Sequence, residues 1–348
     1  MKGKGAQYNP SNPFFKQAVG QYHDEGIDEY TQEERPNRAI FHESPKNVLS
    51  KNNSPDLQFT YSVNPYQGCE HGCVYCYARN SHTYWGFSAG LDFESKIIVK
   101  DKVAALLDAQ LSKISWKPQP IMLSGNTDCY QPIEKDLKLT RGILEVMLKY
   151  RNPVSIITKN ALILRDMDLL QALAEKSLVH VYFSITTLDE SLRAKLEPRT
   201  ATAMKKLTAI RELSALGVPV GVMNAPIIPG LNDTEVPAIL KAASEHGALA
   251  AGYTVVRLNG QIREIFEDWI KKSFPDRAEK TMNQIKELHG GKANDTDWER
   301  RLHGAGNYAL MIDQLFQNSK KKYFEDKKMP PLNPNIFRKG GNYNLFDI

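Results

Sequence analysis

Residues 64–77 read NPYQGCEHGCVYCY and hold three of the four cysteines of the chain, Cys69, Cys73 and Cys76. The spacing is C-x3-C-x2-C, and an aromatic residue, Tyr75, stands just before the last cysteine. Three thiolates on one loop can hold three irons of a [4Fe–4S] cube, because cysteine thiolate is the usual ligand of such clusters. The fourth iron then lacks a protein ligand, and an open coordination site is where a substrate or cosubstrate can bind and react.

A structural zinc site is the main alternative for these cysteines, with His71 or His82 as the fourth ligand. Structural zinc sites usually consist of two separated ligand pairs, and the sequence has no second pair of cysteines. A disulfide framework does not fit a chain of 348 residues whose first ten, MKGKGAQYNP, do not form a secretory signal. No apolar run approaches the roughly 20 residues of a membrane span. We therefore expect a cytoplasmic protein that does not enter a membrane.

Outward from this loop, short apolar runs alternate with amphipathic stretches. Strands are predicted at 61–64, 121–124, 154–158, 179–185, 218–224 and 252–258. Helices are predicted between them at 102–114, 137–150, 166–176, 204–216 and 235–245, and beyond them at 262–272, 277–289 and 298–317. Strands that alternate with helices predict βαβ units and a parallel sheet, either doubly wound or wrapped into a barrel.

The sequence predicts three parts: an extended N-terminal arm over 1–55, a main domain over 56–260, and a helical C-terminal extension over 261–348. The arm carries an acidic run at 24–34, interpreted as a solvated surface, and we expect partial disorder at its start. The extension ends in a basic tail that includes Lys320, Lys321 and Lys322 and that could track phosphates; a solvated helix end is the alternative. A net charge of +5 is compatible with a polyanionic partner without requiring one.

With these motifs in place, the chain resembles the radical S-adenosylmethionine (SAM) superfamily, and within it the branch of spore photoproduct lyase and DNA repair photolyase-like proteins. The likeness runs from about residue 62 to about residue 308. It implies a partial (β/α)6 TIM-type barrel of parallel strands, a [4Fe–4S] cluster on the three cysteines, and SAM bound at the open iron. An electron from the cluster would cleave SAM to a 5′-deoxyadenosyl radical. We expect a monomer that receives electrons from a donor such as flavodoxin or ferredoxin.

The resemblance also implies a SAM pocket built at the ends of the predicted strands. Asp128 or Asn126 would accept from the SAM amino group, Lys159 would lie near its carboxylate, and Arg199 could clamp a carboxylate bidentately. The apolar shelf for adenine falls at Ile228. The residues expected to contact SAM are Tyr75, Tyr77, Gly125, Asn126, Thr127, Asp128, Lys159, Ser184, Thr186, Glu197, Arg199 and Ile228.

The fourth cysteine, Cys129, bears on the type of reaction. With one cysteine left, the chain cannot hold a second cysteine-bound cluster, which argues against the sulfur-inserting and peptide-maturing members. The lyase resemblance implies a cysteine that returns a hydrogen atom to the product radical, and its position here is taken by Gly125. Cys129 and Tyr66 are candidate hydrogen donors; the alternative for Cys129 is a small buried hydrophobe. Further candidates are Tyr75, Tyr84 and Tyr130.

Three functions remain open at this point. The first is radical chemistry on a nucleic-acid lesion or nucleotide, and the second is the same chemistry on a small molecule or peptide. The third is a zinc- or cluster-stabilised nucleic-acid-binding protein without catalysis, which has no need of a SAM pocket. Four arginines could line the mouth of the barrel: Arg257, Arg263, Arg300 and Arg301.

Overall fold

A computed structural model describes residues 3–14, 38–57, 59–298 and 300–341. The acidic run predicted at 24–34 lies outside these residues. The strands are β1 (Ala39–His42), β2 (Leu49–Lys51), β3 (Tyr61–Val63), β4 (Tyr66–Gln67), β5 (Lys96–Val99), β6 (Ile121–Leu123), β7 (Val154–Thr158), β8 (Val179–Ser184), β9 (Val220–Ile227) and β10 (Ala250–Val255).

The main sheet has seven strands in the order β10-β9-β8-β7-β6-β3-β2. Neighbouring strands from β3 to β10 are parallel, whereas β2 pairs antiparallel with β3. The sheet ends at β10 on one side and at β2 on the other, so the barrel is partial. This confirms the predicted α/β class with a parallel sheet. The edge strand β2 comes from the segment predicted to be an arm, so the main sheet extends across the predicted boundary at residue 55.

A second, three-stranded sheet in the order β1-β5-β4 was not predicted. In it β1 runs parallel to β5, and β4 runs antiparallel to β5. These strands have two to four residues each, and β1 is mostly exposed; even the buried apolar run of β5, residues 97–99, is shorter than the runs that mark a strand in the sequence.

The helices are α1 (Leu91–Ser95), α2 (Val103–Leu111), α3 (Glu134–Leu137), α4 (Leu139–Tyr150), α5 (Met167–Ala174), α6 (Glu190–Leu196), α7 (Ala203–Ala215), α8 (Val236–Glu245), α9 (Ile262–Ser273), α10 (Pro275–Leu288) and α11 (Gly306–Phe324). Capping fixes where several begin: the Asp189 carboxylate accepts from the backbone at the start of α6, and the Thr202 hydroxyl does so for α7. None of the described helices is long and apolar enough to span a bilayer.

The predicted helix at 298–317 is wrong at its start, because α11 begins at Gly306. Gly304 and Gly306 have φ of +76° and +84°, and Ala305 between them is extended. Left-handed and extended backbone cannot continue a right-handed helix, so the chain turns here before α11 starts.

The basic tail lies at the amino ends of the strands, opposite the loop that holds the three cysteines. The Asn333 amide donates to the carbonyl of Ser177, which precedes β8, and the Arg338 amide donates to the carbonyl of Tyr150, which precedes β7 (2.8 Å each). Phe337 stacks on Tyr150 with ring centroids 6.0 Å apart.

Candidate functional site

The cysteine loop, residues 68–76, follows β4 and lies at the carboxyl ends of the parallel strands. Its start is fixed by the Cys69 amide, which donates to the Phe93 carbonyl at 2.9 Å. Cys69 and Cys73 are buried, and Cys76 is partly exposed. Gly72 has a φ of +71°, and a Cβ there would approach a Glu94 carboxylate oxygen to 2.7 Å. A glycine is therefore required between the first two cysteines.

The donor set of this loop fits an iron–sulfur cluster. Burial raises the pKa of Cys76 to about 11 and raises that of Cys73 well above its usual value. These sulfurs therefore become thiolates only when a cationic centre takes the place of the proton. Within the described ranges, no three His, Cys, Asp or Glu side chains surround a position for one metal ion. A [4Fe–4S] cube has a different requirement, because each thiolate bonds a different iron.

The two histidines considered as zinc ligands have other contacts. His71 Nδ1 lies 3.3 Å from Asp128 Oδ2, and His71 Nε2 lies 3.4 Å from the Asn160 amide nitrogen. His82 is buried, its ring packs edge-on to Phe93 at 5.5 Å, and burial lowers its pKa to about 4.

A buried polar network joins the ends of β7, β8 and β9. The Lys159 ammonium donates to Ser184 Oγ at 2.7 Å, to Glu197 Oε1 at 2.9 Å and to Thr186 Oγ1 at 3.2 Å. The Tyr75 hydroxyl donates to Glu197 and lies 3.3 Å from Thr186 Oγ1. Tyr75 stands between the second and third cysteines, so this network connects the cysteine loop directly to the ends of the strands.

The electrostatics of this network centre on Glu197, which is fully buried. The second lysine, Lys206, reaches its other carboxylate oxygen at 3.4 Å. Burial alone would raise the pKa of Glu197, but Lys159 and Lys206 outweigh it and hold the pKa well below its usual value. Two ammonium groups thus share one buried carboxylate, which leaves positive charge available for an anionic group. Lys206 lies on a predicted helix, and nothing in the sequence marked its contact with Glu197.

Asp128 accepts three hydrogen bonds from its own chain. Thr158 Oγ1 and the Tyr130 amide donate to its Oδ1 at 2.8 and 2.9 Å, and the Lys159 amide donates to its Oδ2 at 2.7 Å. Burial would raise its pKa, but His71 and these bonds lower it. Asp128 thus ties the end of β6 to the end of β7; its expected contact with the SAM amino group stays a prediction.

The neighbouring polar residues of the β6 end are also held in place. The Tyr77 hydroxyl donates to the Gly125 carbonyl at 2.5 Å, and Thr127 Oγ1 donates to the Gly68 carbonyl at 2.9 Å. The Asn126 amide donates to Asn64 Oδ1 at 2.8 Å. These bonds attach the β6 end to both flanks of the cysteine loop.

Arg199 contacts the N-terminal segment. Its Nη1 donates to the Gly3 carbonyl at 2.8 Å, and its Nη2 donates to Glu94 Oε2 at 3.0 Å. The other Glu94 oxygen accepts from Arg79 at 2.6 Å and from the Ala6 amide at 2.7 Å. The expected role of Arg199 as a clamp for a carboxylate stays a prediction. The buried Arg79–Glu94 pair was missed, because its partners are 15 or more residues apart.

The start of the chain, residues 3–14, lies across this loop. A Cβ built on Gly5 would fall 1.6 Å from the Gly72 carbonyl oxygen, so the two backbones are in direct contact. The sequence predicted an extended arm over the main domain, partly disordered at its start; the described residues 3–14 make these contacts with the main domain.

Among the candidate hydrogen donors, Tyr84 is 79% exposed, whereas Cys129, Tyr66 and Tyr130 are buried. Cys129 is fully buried in the main apolar cluster, and Tyr66 is fully buried with its hydroxyl on Glu134. Ile228 packs in a second cluster with Cys73 and Tyr75. Ile228 is fully buried beside the cysteine loop, and its expected contact with adenine stays a prediction.

Of the four arginines expected at the barrel mouth, Arg257 and Arg301 lie near each other, since burial and then the charge of Arg301 lower the pKa of Arg257. Arg301 pairs with Asp56, Arg300 with Asp295 at 3.2 Å, and Arg263 with Glu267 at 2.8 Å. Arg257 follows β10 and lies near Tyr77, whose pKa is raised by burial and by Cys76 and is lowered in part by Arg257.

Comparison with known proteins places this geometry in a family. The model of the radical SAM superfamily matches residues 63–243. An uncharacterized protein of Mycobacterium tuberculosis strain H37Rv is 35% identical over 234 residues, which cover 66% of this chain and 69% of that protein. An uncharacterized protein of Methanocaldococcus jannaschii is 31% identical over 224 residues, 64% of this chain and 80% of that protein.

Among solved structures, a mutant of spore photoproduct lyase superposes with a TM-score of 0.56 at 15% identity, over 82% of this chain and 79% of that one. Another, with bound AdoMet and dinucleoside spore photoproduct, gives a TM-score of 0.55 over the same shares. At this identity the likeness shows the fold alone. The family match covers the cysteine loop, the strand ends and most of the helices between them, and the chain belongs to the radical SAM superfamily.

Proposed function

We propose that this protein binds a [4Fe–4S] cluster through Cys69, Cys73 and Cys76 and cleaves SAM reductively, with a nucleic-acid lesion or a nucleotide as its substrate. The observation that supports this most is the position of Tyr75. It lies between two of the cysteines, and its hydroxyl reaches the Lys159–Glu197 network at the strand ends. A cluster and a cosubstrate that must exchange an electron need adjoining sites, and Tyr75 lies where the two would meet.

The chain's own residues would bind and orient SAM at these strand ends. The Lys159 ammonium is fixed by Ser184, Thr186 and Glu197 and can pair with the SAM carboxylate. Ile228 belongs to the buried apolar cluster that holds Cys73 and Tyr75, and it would come into contact with adenine at the edge of that cluster. Cys69, Cys73 and Cys76 would hold the cluster, which would supply the electron for cleavage of a carbon–sulfur bond of SAM after reduction by an external donor such as flavodoxin or ferredoxin.

The proposed substrate class rests on the lyase resemblance and on the shared fold. One lyase structure holds dinucleoside spore photoproduct together with AdoMet. The basic tail does not support this substrate at the site, since it packs at the opposite end of the strands.

The test is anaerobic reconstitution, followed by measurement of iron and of 5′-deoxyadenosine formed from SAM with a reductant. We expect about four irons per chain. Replacement of Cys69, Cys73 or Cys76 by Ala should remove the iron and all SAM cleavage. Cys129→Ala is the matched control and should keep both, because this cysteine lies in the apolar core. One tightly held zinc and no iron in the reconstituted protein would overturn the proposal.

The substrate is tested separately, with DNA, RNA and metabolite pools added to active enzyme. A nucleic-acid or nucleotide substrate should increase SAM consumption over the level without substrate. An increase with metabolites or peptides only would assign the same radical chemistry to a different substrate.

A further inference from the structure

A polar cavity of about 290 Å³ opens beside the carboxyl end of β6, next to the cysteine loop. Its walls come from β2 and β3, from Gln67 in β4, and from Lys100, which directly follows β5. Gly125 forms part of the lining, and its carbonyl accepts from Tyr77, the residue after the third cysteine. A group bound here would therefore lie beside the proposed site of radical formation.

The cavity is lined by a largely buried lysine, Lys100, which is influenced by the charge of the Glu43 carboxylate but forms no ion pair with it in the described residues. Lys100 is 9% exposed, and within the described residues its Nζ makes no hydrogen bond and no ion pair. Burial lowers the pKa of Lys100, and the carboxylate of Glu43 offsets this only in part. A buried cation is costly unless an anion accompanies it. A second lysine of the lining, Lys51, is exposed at the entrance.

Other hydrogen-bond donors of the lining are also unused in the described part of the chain. Asn64 is 7% exposed; its Oδ1 accepts from the Asn126 amide at 2.8 Å, which leaves its NH2 group without a partner. In Gln67, too, the side-chain oxygen Oε1 accepts a hydrogen bond, from Trp85 Nε1, and the NH2 group is the donor that remains. Ser62, 8% exposed, adds a hydroxyl. The described lining contains two lysines and no carboxylate, so it suits a ligand that is anionic and rich in acceptors.

We propose that this cavity binds a phosphate group of a nucleotide substrate, a step that rests on the proposed function. Phosphate oxygens accept from ammonium, amide and hydroxyl donors together, which matches Lys51, Lys100, Asn64 and Ser62. Two exposed aromatic rings that donate hydrogen bonds to lining residues, Tyr77 to Gly125 and Trp85 to Gln67, support a nucleotide over a bare phosphate ester. Tyr77 and Trp85 are 51% and 38% exposed, Trp85 is bonded to Gln67 of the lining, and exposed rings of this kind stack on bases.

The experiment is calorimetric titration of the reconstituted full chain without SAM, so that binding is measured independently of radical chemistry. The probes are thymidine 5′-monophosphate, thymidylyl-thymidine with one phosphodiester, inorganic phosphate, and thymidine as the phosphate-free control. We expect both phosphate-bearing nucleotides to bind at least tenfold more tightly than thymidine. Preference for the diester would indicate a strand as the source, and preference for the monoester would indicate a free nucleotide.

The variants are Lys100→Gln and Lys51→Gln, with Lys205→Gln as a matched control on the exposed side of α7. The two cavity variants should lose most of the preference for phosphate, about tenfold each, and the control should keep it. Lys51 is exposed, so its variant tests the proposal even if Lys100→Gln does not fold.

Equal affinity for thymidine and its monophosphate in the wild type, or a preference retained by both cavity variants, would overturn this inference. Failure of the proposed function would be seen separately, as wild-type protein that holds no iron or cleaves no SAM. Phosphate binding in such a protein would leave the cavity assignment in place.

Discussion

The two ends of the main sheet are built in different ways. At the carboxyl ends, Lys159, Glu197 and Lys206 form a buried charged network beside the cysteine loop. At the amino ends the buried Asn152 bridges two backbone carbonyls, the C-terminal tail adds backbone hydrogen bonds and a Phe337–Tyr150 stack, and the Lys149–Asp108 ion pair is partly exposed rather than buried. Buried charges seldom improve stability over apolar packing. The difference indicates that the carboxyl end is arranged for binding and the amino end for stability.

Glu197→Ala should have the largest effect on stability of the substitutions that test this difference between the two ends. It leaves two buried ammonium groups without their carboxylate, and breaking a buried pair from one side costs about 3–5 kcal/mol in the free energy of unfolding. The measurement is urea unfolding, with Glu212→Ala as the control, since Glu212 is exposed on α7 and such changes stay within about 0.5 kcal/mol. Equal stability of the two variants would contradict the charged network.

The same carboxylate gives a pH dependence with a definite sign. The folded pKa of Glu197 lies below its usual value, so its stabilising contribution is present above the unfolded pKa, about 4.3, and is lost as pH falls through the lower folded pKa. The difference in unfolding free energy between wild type and Glu197→Gln should therefore be constant from pH 7 to about 5 and shrink in stronger acid. A difference that grows on acidification would contradict this.

The next prediction concerns SAM affinity at the carboxyl ends. Separate replacement of Asp128, Lys159, Ser184 and Arg199 should weaken SAM binding and leave the iron content unchanged. Loss of a hydrogen bond to a charged group costs about 1.5–3 kcal/mol, or roughly one to two decades in Kd. Equilibrium titration of SAM into reconstituted variants measures this. Unchanged affinity in all four would show that the strand ends were assigned to SAM incorrectly.

At the amino ends the opposite pattern is expected from Asn152→Ala. Asn152 Nδ2 donates to the carbonyls of Gln119 and Pro153 at 3.1 and 3.0 Å, and its Oδ1 accepts from Trp116 Nε1 at 3.1 Å. In Asn152→Ala these two carbonyls and the Trp116 Nε1–H lose their hydrogen-bond partner. A buried polar group without a partner costs about 1–3 kcal/mol, so the free energy of unfolding should fall by that amount. SAM affinity should not change. A variant that weakens SAM binding as much as Ser184→Ala would remove the proposed division between the two ends.

The sequence was most informative where an apolar run ends in a polar residue. The runs at β6 to β10 predicted a parallel sheet without fixing its strand order, and the C-x3-C-x2-C spacing predicted that the three cysteines share one loop. Contacts between distant segments were not predictable, because no local pattern encodes them. Arg199 meets Gly3 and Glu94, and Lys206 meets Glu197, only after the chain has folded. The phosphate cavity likewise combines residues from four separate segments.

The smallest effect is expected from Cys129→Ala, with spore photoproduct dinucleotide as the substrate. The lyase resemblance implies a hydrogen-donating cysteine where this chain has Gly125, which has no side chain. Cys129 is fully buried in the main apolar cluster, and its amide is fixed by a 2.8 Å bond to Ser124 Oγ. A thiol that packs as a small hydrophobe cannot reach a product radical without local unfolding, so we expect no thymine from the wild type or the variant. The substitution should cost only about 1 kcal/mol in stability and leave SAM cleavage intact. Product analysis of the anaerobic reaction checks this, with added thiol as a control for an external hydrogen donor.

Thymine formed by the wild type without added thiol, and lost in Cys129→Ala, would instead place this cysteine in the radical path.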